Sequence, residues 1–156
     1  MNYKMIIHTT GQIIGVGAIC LLLSSGVSFL YNEASAIWLL ITALISGVLY
    51  FASRFFKPKD VVFFAKEGLV TVALSWIILS LIGALPFFLS KEIPSYIDSL
   101  FETASGFSTT GATILDDPQV LSNGNLFWRS LTHWIGGMGV LVLLVALLPS
   151  VSGRSI

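Results

Sequence analysis

Apolar residues fill four long runs of this chain, and charge is confined to the gaps between them. Residues 5–32, 34–53, 68–90 and 130–153 contain no Asp, Glu, Lys or Arg. Each run reaches the roughly 20 residues that a helix needs to cross about 30 Å of hydrocarbon. The pattern predicts spanning helices near residues 5–30, 36–54, 68–89 and 128–149. A turn follows the first at Tyr31-Asn32-Glu33. A second turn falls at Phe56-Lys57-Pro58-Lys59-Asp60, where Pro58 disfavours further helix. Pro86 lies near the end of the third run and Pro149 at the end of the fourth.

The connection over 90–127 has a pattern of its own. It is too long for a simple turn and not uniformly polar. Ser95 is suited to cap a helix, and Asp98 three residues later completes a capping-box spacing. Asp98 and Glu102 suit the positive end of a helix dipole. Leu100, Phe101, Ala104 and Phe107 recur at helical spacing. A helix over 96–107 is predicted, roughly 18 Å long at 1.5 Å per residue. That is too short to span a bilayer but reaches about half-way. A glycine- and threonine-rich stretch, Gly106-Phe107-Ser108-Thr109-Thr110-Gly111-Ala112-Thr113, follows. Asp116-Asp117-Pro118 then belongs back in water. The predicted shape is a re-entrant hairpin, with a half-helix down and an extended strand up. An ordinary loop carrying a surface amphipathic helix is the plainer reading. The context of spanning helix, half-length helix, Thr-Thr-Gly, acidic exit and spanning helix favours the hairpin.

Non-helical backbone at membrane depth leaves N–H and C=O groups unpaired. It is tolerated where protein buries it or where it lines a watery path. A run of carbonyl oxygens facing one axis can replace the water around a dehydrated monovalent cation. Thr hydroxyls can add ligands or pin the loop, and Gly111 permits a backbone conformation that a side chain penalises. The end of the half-helix directs its partial negative charge inward, which also favours a cation.

Composition agrees with a membrane chain. Of 156 residues, 55% are hydrophobic and 10% charged, against about 25% charged in soluble domains. Net charge is zero, which excludes a bulk basic surface for nucleic acid. The one cysteine, Cys20, lies in the first apolar run, and packing is the expected role. That run is too long for a signal-peptide core of about 7–15 residues, so a retained helix is expected. Lys4, Arg54, Lys57, Lys59, Lys66 and Arg154 share one side if each helix crosses once. The excess of basic residues marks the cytoplasm, which places both termini inside and the 90–127 connection outside. The chain carries two widely spaced His residues and no His-x-x-x-His or Glu-x-x-His pattern, so an enzyme is not expected.

The segment Ser99-Leu100-Phe101-Glu102-Thr103-Ala104-Ser105-Gly106-Phe107-Ser108-Thr109-Thr110-Gly111-Ala112-Thr113 resembles the first pore repeat of the Trk/Ktr/HKT potassium-transporter superfamily. So do Leu126-Phe127-Trp128-Arg129, Trp134-Ile135-Gly136-Gly137-Met138-Gly139, Val145-Ala146-Leu147-Leu148-Pro149 and Gly83-Ala84-Leu85-Pro86-Phe87. The likeness is nearest to TrkH-type membrane subunits and is most specific over 68–150. It implies an all-α membrane protein with four transmembrane helices, a re-entrant pore half-helix and an extended filter strand. It implies domains at 1–66 (a front helix pair), 67–150 (one helix–pore loop–helix repeat) and 151–156 (the start of a cytoplasmic linker). By motif, Thr109, Thr110, Gly111, Ala112 and Thr113 form the filter strand, with the main-chain carbonyls of Thr110 and Gly111 foremost.

The resemblance further implies potassium as the transported ion, no bound cofactor, an inner-membrane location and a cytoplasmic nucleotide-binding regulatory subunit. No glycine-rich nucleotide motif occurs here in a strand-to-helix context, which places nucleotide control on a partner. Family members carry four repeats around one path, and one quarter cannot enclose an ion. The chain is therefore expected to be the N-terminal part of a longer protein, with four assembled copies as the alternative. A non-conducting scaffold or regulatory subunit is the competing function.

Further residues have open roles at this stage. Arg129 either bridges to Asp98, Glu102 or Asp116, or extends to the interface. His133 is expected in a hydrogen-bonded packing role, and His8 is expected at the interface. Trp38, Trp76, Trp128 and Trp134 suit interface belts or packing. Gly136, Gly137 and Gly139 form a smooth patch for close approach of the half-helix or another helix, or a hinge.

Overall fold

The computed structural model describes residues 3–57 and 65–147. Six helices follow in order among the described residues: α1 (Tyr3–Leu30), α2 (Ser35–Ser53), α3 (Ala65–Gly83), α4 (Leu85–Leu89), α5 (Tyr96–Phe107) and α6 (Asn123–Leu147). Short 3-10 turns occur at Arg54–Phe56 and Pro118–Val120. There is no β-strand among the described residues. Three stretches, Tyr3–Leu30, Ser35–Phe56 and Lys66–Leu89, are long and apolar enough to cross a membrane. The fourth expected span, 128–149, falls on α6 as far as Leu147. Pro58, Lys59, Asp60, Pro149 and Arg154 lie outside the described residues, as does the proposed linker 151–156.

α1 and α2 form an antiparallel hairpin. The end of α1 is set by two bonds, Glu33 N–H to Ser28 O (3.1 Å) and Asn32 N–H to Phe29 O (3.0 Å). This is a Schellman ending, with Asn32 as the left-handed residue at φ 55°. Asn tolerates that region better than most residues. Small side chains then bring the two helices together. Gly11 lies against Ser53 and Gly15 against Tyr50, where any Cβ would overlap. Ser25 donates to Ala36 O (2.9 Å), and the Ser28 and Ser35 hydroxyls share a 2.7 Å bond. Cys20 is buried and free.

The third predicted helix is interrupted at Ala84, which separates α3 from α4. Pro86 has no N–H, and its ring crowds the preceding turn. The interruption is slight, because Ala84 N–H still bonds Ser80 O and Phe88 N–H bonds Ala84 O, both at 3.1 Å. Hydroxyls buried within the helices bond carbonyls one turn back: Ser24 to Cys20, Thr42 to Trp38, Thr71 to Glu67 and Ser75 to Thr71. Such bonding removes the cost of an unpaired polar group where water is absent. Leu21, Leu39, Phe87, Phe107 and Trp128 fill the centre, each no more than 1% exposed.

α6 begins at the end of the bundle where α1 turns into α2. Its first N–H groups have no partner within the helix. Glu33 supplies one: Oε1 accepts from Asn123 N–H (2.8 Å) and Oε2 from Gly124 N–H (3.1 Å). The Asn123 amide and the Ser28 hydroxyl add bonds of 3.0 and 3.2 Å. Partial burial works against ionisation of Glu33. The backbone and side-chain donors from Asn123, Gly124 and Ser28 outweigh it and hold the carboxyl below its ordinary pKa.

A carboxyl whose pKa is depressed on folding stabilises the fold fully above its unfolded value of about 4.5. That contribution is lost as pH falls through the lower folded value. Melting temperature in detergent is therefore expected to fall below about pH 4.5, and less steeply in Glu33→Gln. Identical pH profiles for the two proteins would contradict the assignment.

Candidate functional site

α5 starts where the capping spacing places it. Ser95 is extended at φ −92°, ψ 130°, and its hydroxyl accepts from Asp98 N–H at 3.4 Å. The helix is amphipathic: Ser99, Glu102, Thr103, Ser105, Gly106 and Phe107 are buried, while Ile97 and Phe101 are exposed. Three anchors fix it. Thr103 donates to Ser80 O on α3 (3.0 Å) and Tyr96 OH donates to Leu81 O (2.8 Å). Phe107 meets Trp128 edge-to-face, with centroids 6.3 Å apart. Trp128 in turn donates its indole N–H to Gly83 O (3.0 Å).

α5 descends into the bundle beside α6 and stops part-way. The backbone of Phe107 abuts Gly136, where any Cβ would collide with the Phe107 carbonyl. Gly136 lies about 20 Å along α6 from Asn123 at about 1.5 Å per residue. Gly106 faces Thr132 in the same close manner. Gly137 lies near Thr109 and Gly139 near Trp76. Of the three patch glycines, Gly136 serves close approach of the half-length helix, and Gly139 faces α3.

The end of α5 is a second Schellman motif. Thr110 N–H bonds Ser105 O (3.0 Å) and Thr109 N–H bonds Gly106 O (2.9 Å). The left-handed residue here is Thr109, at φ 56°, where glycine is the usual choice. A β-branched residue at positive φ is strained. Gly111 follows at φ 77°. Nothing lies within 4 Å of a Cβ built on Gly111, so backbone conformation rather than space demands glycine there. Residues 108–117 are non-helical, and two left-handed positions replace the continuous extended strand expected from sequence.

The five residues expected in the strand, Thr109, Thr110, Gly111, Ala112 and Thr113, are all exposed in the isolated chain. Their carbonyls differ. Ala112 O accepts the Ser105 hydroxyl at 2.6 Å. The carbonyls of Thr109, Thr110, Gly111 and Thr113 accept no hydrogen bond among the described residues. The Thr110 and Ser108 hydroxyls share a 2.8 Å bond, and Thr109 Oγ1 donates to Ser108 O (2.7 Å). The Thr113 hydroxyl donates to Glu102 and accepts from Leu115 N–H (3.1 Å).

Glu102 is the residue that sequence reasoning undervalued. Its side chain has no exposed surface. It accepts from the Thr113 hydroxyl at 3.1 and 3.0 Å, from Ile114 N–H at 3.1 Å, and from Arg129 Nε. Of the three acidic partners open to Arg129, the structure selects Glu102. One carboxylate thereby ties α5, the returning loop and α6 together. His133 Nδ1 lies 2.9 Å from Arg129 O. A carbonyl only accepts, so this bond places the proton on Nδ1.

The fold defines an α-helical membrane protein with a half-length helix packed into the bundle and an irregular loop that leaves its end. Residues 32–155 match the family model described as TrkH, cation transport protein, and the chain belongs to that family. It is 40% identical over 139 residues to an uncharacterized cation transporter of Methanocaldococcus jannaschii, covering 88% of this chain and 29% of that protein. It is 32% identical over 153 residues to the Trk system potassium uptake protein TrkG of Escherichia coli, covering 95% and 31%. The crystal structure of the potassium transporter TrkH from Vibrio parahaemolyticus superposes with a TM-score of 0.82 at 30% identity, over 96% of this chain and 32% of that one. The chain spans about a third of the length of the curated relatives it matches.

Removing one member of a buried ion pair strands the other, at a cost of about 3–5 kcal/mol. Glu102→Gln and Arg129→Gln are each expected to lower the melting temperature and to open the 108–117 loop to protease. The double variant should recover part of the loss. Additive losses in the double variant would show that the two side chains act independently.

Proposed function

We propose that this chain forms the front helix pair and first pore repeat of a potassium transporter. In this reading residues 109–113 line one quarter of the ion path. α1, α2, the α3–α4 stretch and α6 cross the bilayer, and α5 is the re-entrant half-helix. Residues 1–66 are the front pair and 67–150 the repeat. The single observation that carries the reading is the set of unpaired carbonyls on Thr109, Thr110 and Gly111. They sit on backbone that α5 and α6 hold rigidly from behind.

The backbone angles support it. In a regular strand successive residues alternate between faces, and a row of carbonyls on one side is unavailable. Positive φ at Thr109 and Gly111 breaks that alternation. Neighbouring oxygens can then share a side and replace the hydration shell of a bare cation. The Schellman bonds consume the Ser105 and Gly106 carbonyls, so the loop oxygens beyond α5 are the ones left for the ion. Potassium is the ion because two of the named relatives, from Escherichia coli and Vibrio parahaemolyticus, are a potassium uptake protein and a potassium transporter.

The charge distribution supports a direction. Lys4, Arg54, Lys57 and Lys66 fall at one end of the antiparallel bundle. Glu33, Lys91, Glu92, Asp98, Asp116 and Asp117 fall at the other, where acids outnumber the one lysine. Basic residues mark the cytoplasmic end, so the loop opens to the outside and both termini lie within. An acidic mouth raises the local concentration of cations. Closing the path requires further repeats of a longer protein, or further copies. A cytoplasmic nucleotide-binding subunit remains the expected regulatory partner.

Gly111 is the direct test, in the complete transporter. Gly111→Ala has room for its methyl but must hold φ near 77°, at a cost of about 1–2 kcal/mol. Potassium-over-sodium preference is expected to drop about tenfold, the factor that 1.4 kcal/mol is worth. Gly111→Asn should be milder, because Asn tolerates left-handed backbone. Wild-type potassium uptake and preference in both variants would overturn the reading.

A further inference from the structure

We propose that Glu33, on the helix pair in front of the repeat, is a positioning residue for the ion-lining loop and acts on it through α6. The inference rests on the reading of residues 109–113 given above.

The start of α6 is built from groups outside the helix. Its first helical residue is Asn123. Asn123 N–H and Gly124 N–H go to Glu33, and Ser122 N–H goes to Glu92 Oε2 at 2.9 Å. A hydroxyl chain runs beside them: Ser122 donates to Ser35 (2.8 Å), Ser35 and Ser28 share a 2.7 Å bond, and Ser28 donates to Glu33. A Cβ on Gly124 would overlap Ser28 and come within 2.9 Å of Leu39. Asn125, fully buried, donates to Ser90 Oγ at 3.1 Å. The α1–α2 turn is thus locked to the first turn of α6 by backbone bonds, side-chain bonds and contact.

Arg129 stands about 9 Å along the same helix from Asn123 at about 1.5 Å per residue. It holds Glu102, and Glu102 holds Thr113 and Ile114. The route from Glu33 to the loop is therefore continuous: carboxylate to helix start, helix to guanidinium, guanidinium to carboxylate, carboxylate to loop. A helix is stiff over one or two turns. A turn or shift of α6 at its start moves the Arg129 side chain relative to Glu102. At the far side of the loop, Gly136 against Phe107 gives α6 a second fixed point. Releasing the first point lets the helix pivot about the second, and the Thr113 end of the loop moves with it. The front pair thereby becomes part of the apparatus that sets carbonyl spacing.

The test uses the complete transporter in cells that depend on it for potassium, at matched membrane abundance. The readout is the ratio of potassium to sodium uptake, which a role confined to folding does not move. Glu33→Gln is expected to shift that ratio about two- to tenfold, the lower part of the range for residues coupled in one network. Glu33→Asp should restore part of it. Combined with Arg129→Lys, Glu33→Gln should add less than its separate effect, because both act on one route.

Asn123→Pro is the second variant. Proline is accepted at a first helical position, yet it deletes both donors that Asn123 gives Glu33. It should reproduce the shift, and it decides the matter if Glu33→Gln does not accumulate. Wild-type ratios in Glu33→Gln and Asn123→Pro, with an altered ratio in Gly111→Ala, overturn this inference and leave the filter reading standing. Wild-type ratios in all three overturn both.

Discussion

A carboxylate with no exposed surface must be fully partnered, and the arrangement of this protein follows from how Glu102 is. Water cannot reach it, so three donor groups from two other segments converge on its two oxygens. The Thr113 hydroxyl and Ile114 N–H come from the loop, and the guanidinium of Arg129 comes from α6. Any displacement of one segment strands charge in a dry interior, at a cost of several kcal/mol. Residues 108–117, between α5 and the 3-10 turn, have no ladder or helix of their own to hold them. Their rigidity is borrowed from this one carboxylate and from the Ser105 bond to Ala112 O.

Strain and support are distributed along the same loop. Thr109 occupies left-handed backbone at a position that ordinarily takes glycine. Residues in such conformations persist where their surroundings over-determine them, and they gather at functional sites. Here two Schellman bonds, the Thr109 hydroxyl on Ser108 O, and the packing of Phe107 on Trp128 and Gly136 supply the constraint. Bonds to α5 side chains hold Ala112, Thr113 and Ile114. The carbonyls of Thr109, Thr110 and Gly111 accept none among the described residues. The proposed cation-lining role requires that asymmetry.

Much of this was legible in the residues, and the reasons differ by element. The bounds of α5 could be read because a cap, a first-turn acid and an apolar period all point to one helix. The glycine patch on α6 announced a close neighbour, and Gly136 meets the backbone of Phe107. Glu102 was not legible, because an acid on an amphipathic helix reads as solvated or as a dipole partner until the fold shows what faces it. For the same reason Arg129 had three acids in reach by sequence and one in space. Thr109 gave no signal, since a left-handed helix end is sought at Gly or Asn. Asn32 fits that rule and Thr109 breaks it. Glu33 caps a helix that begins 90 residues later, a pairing that no local spacing encodes.

The central claim is that main-chain oxygens of this loop bind the transported ion. Anomalous diffraction from crystals of the complete transporter grown in rubidium or thallium salts tests it most directly. The account predicts a cation peak on the carbonyls of Thr110 and Gly111, at the level where α5 ends. Cations ordered elsewhere along the path, with none beside residues 109–113 in a protein that still transports, would contradict it.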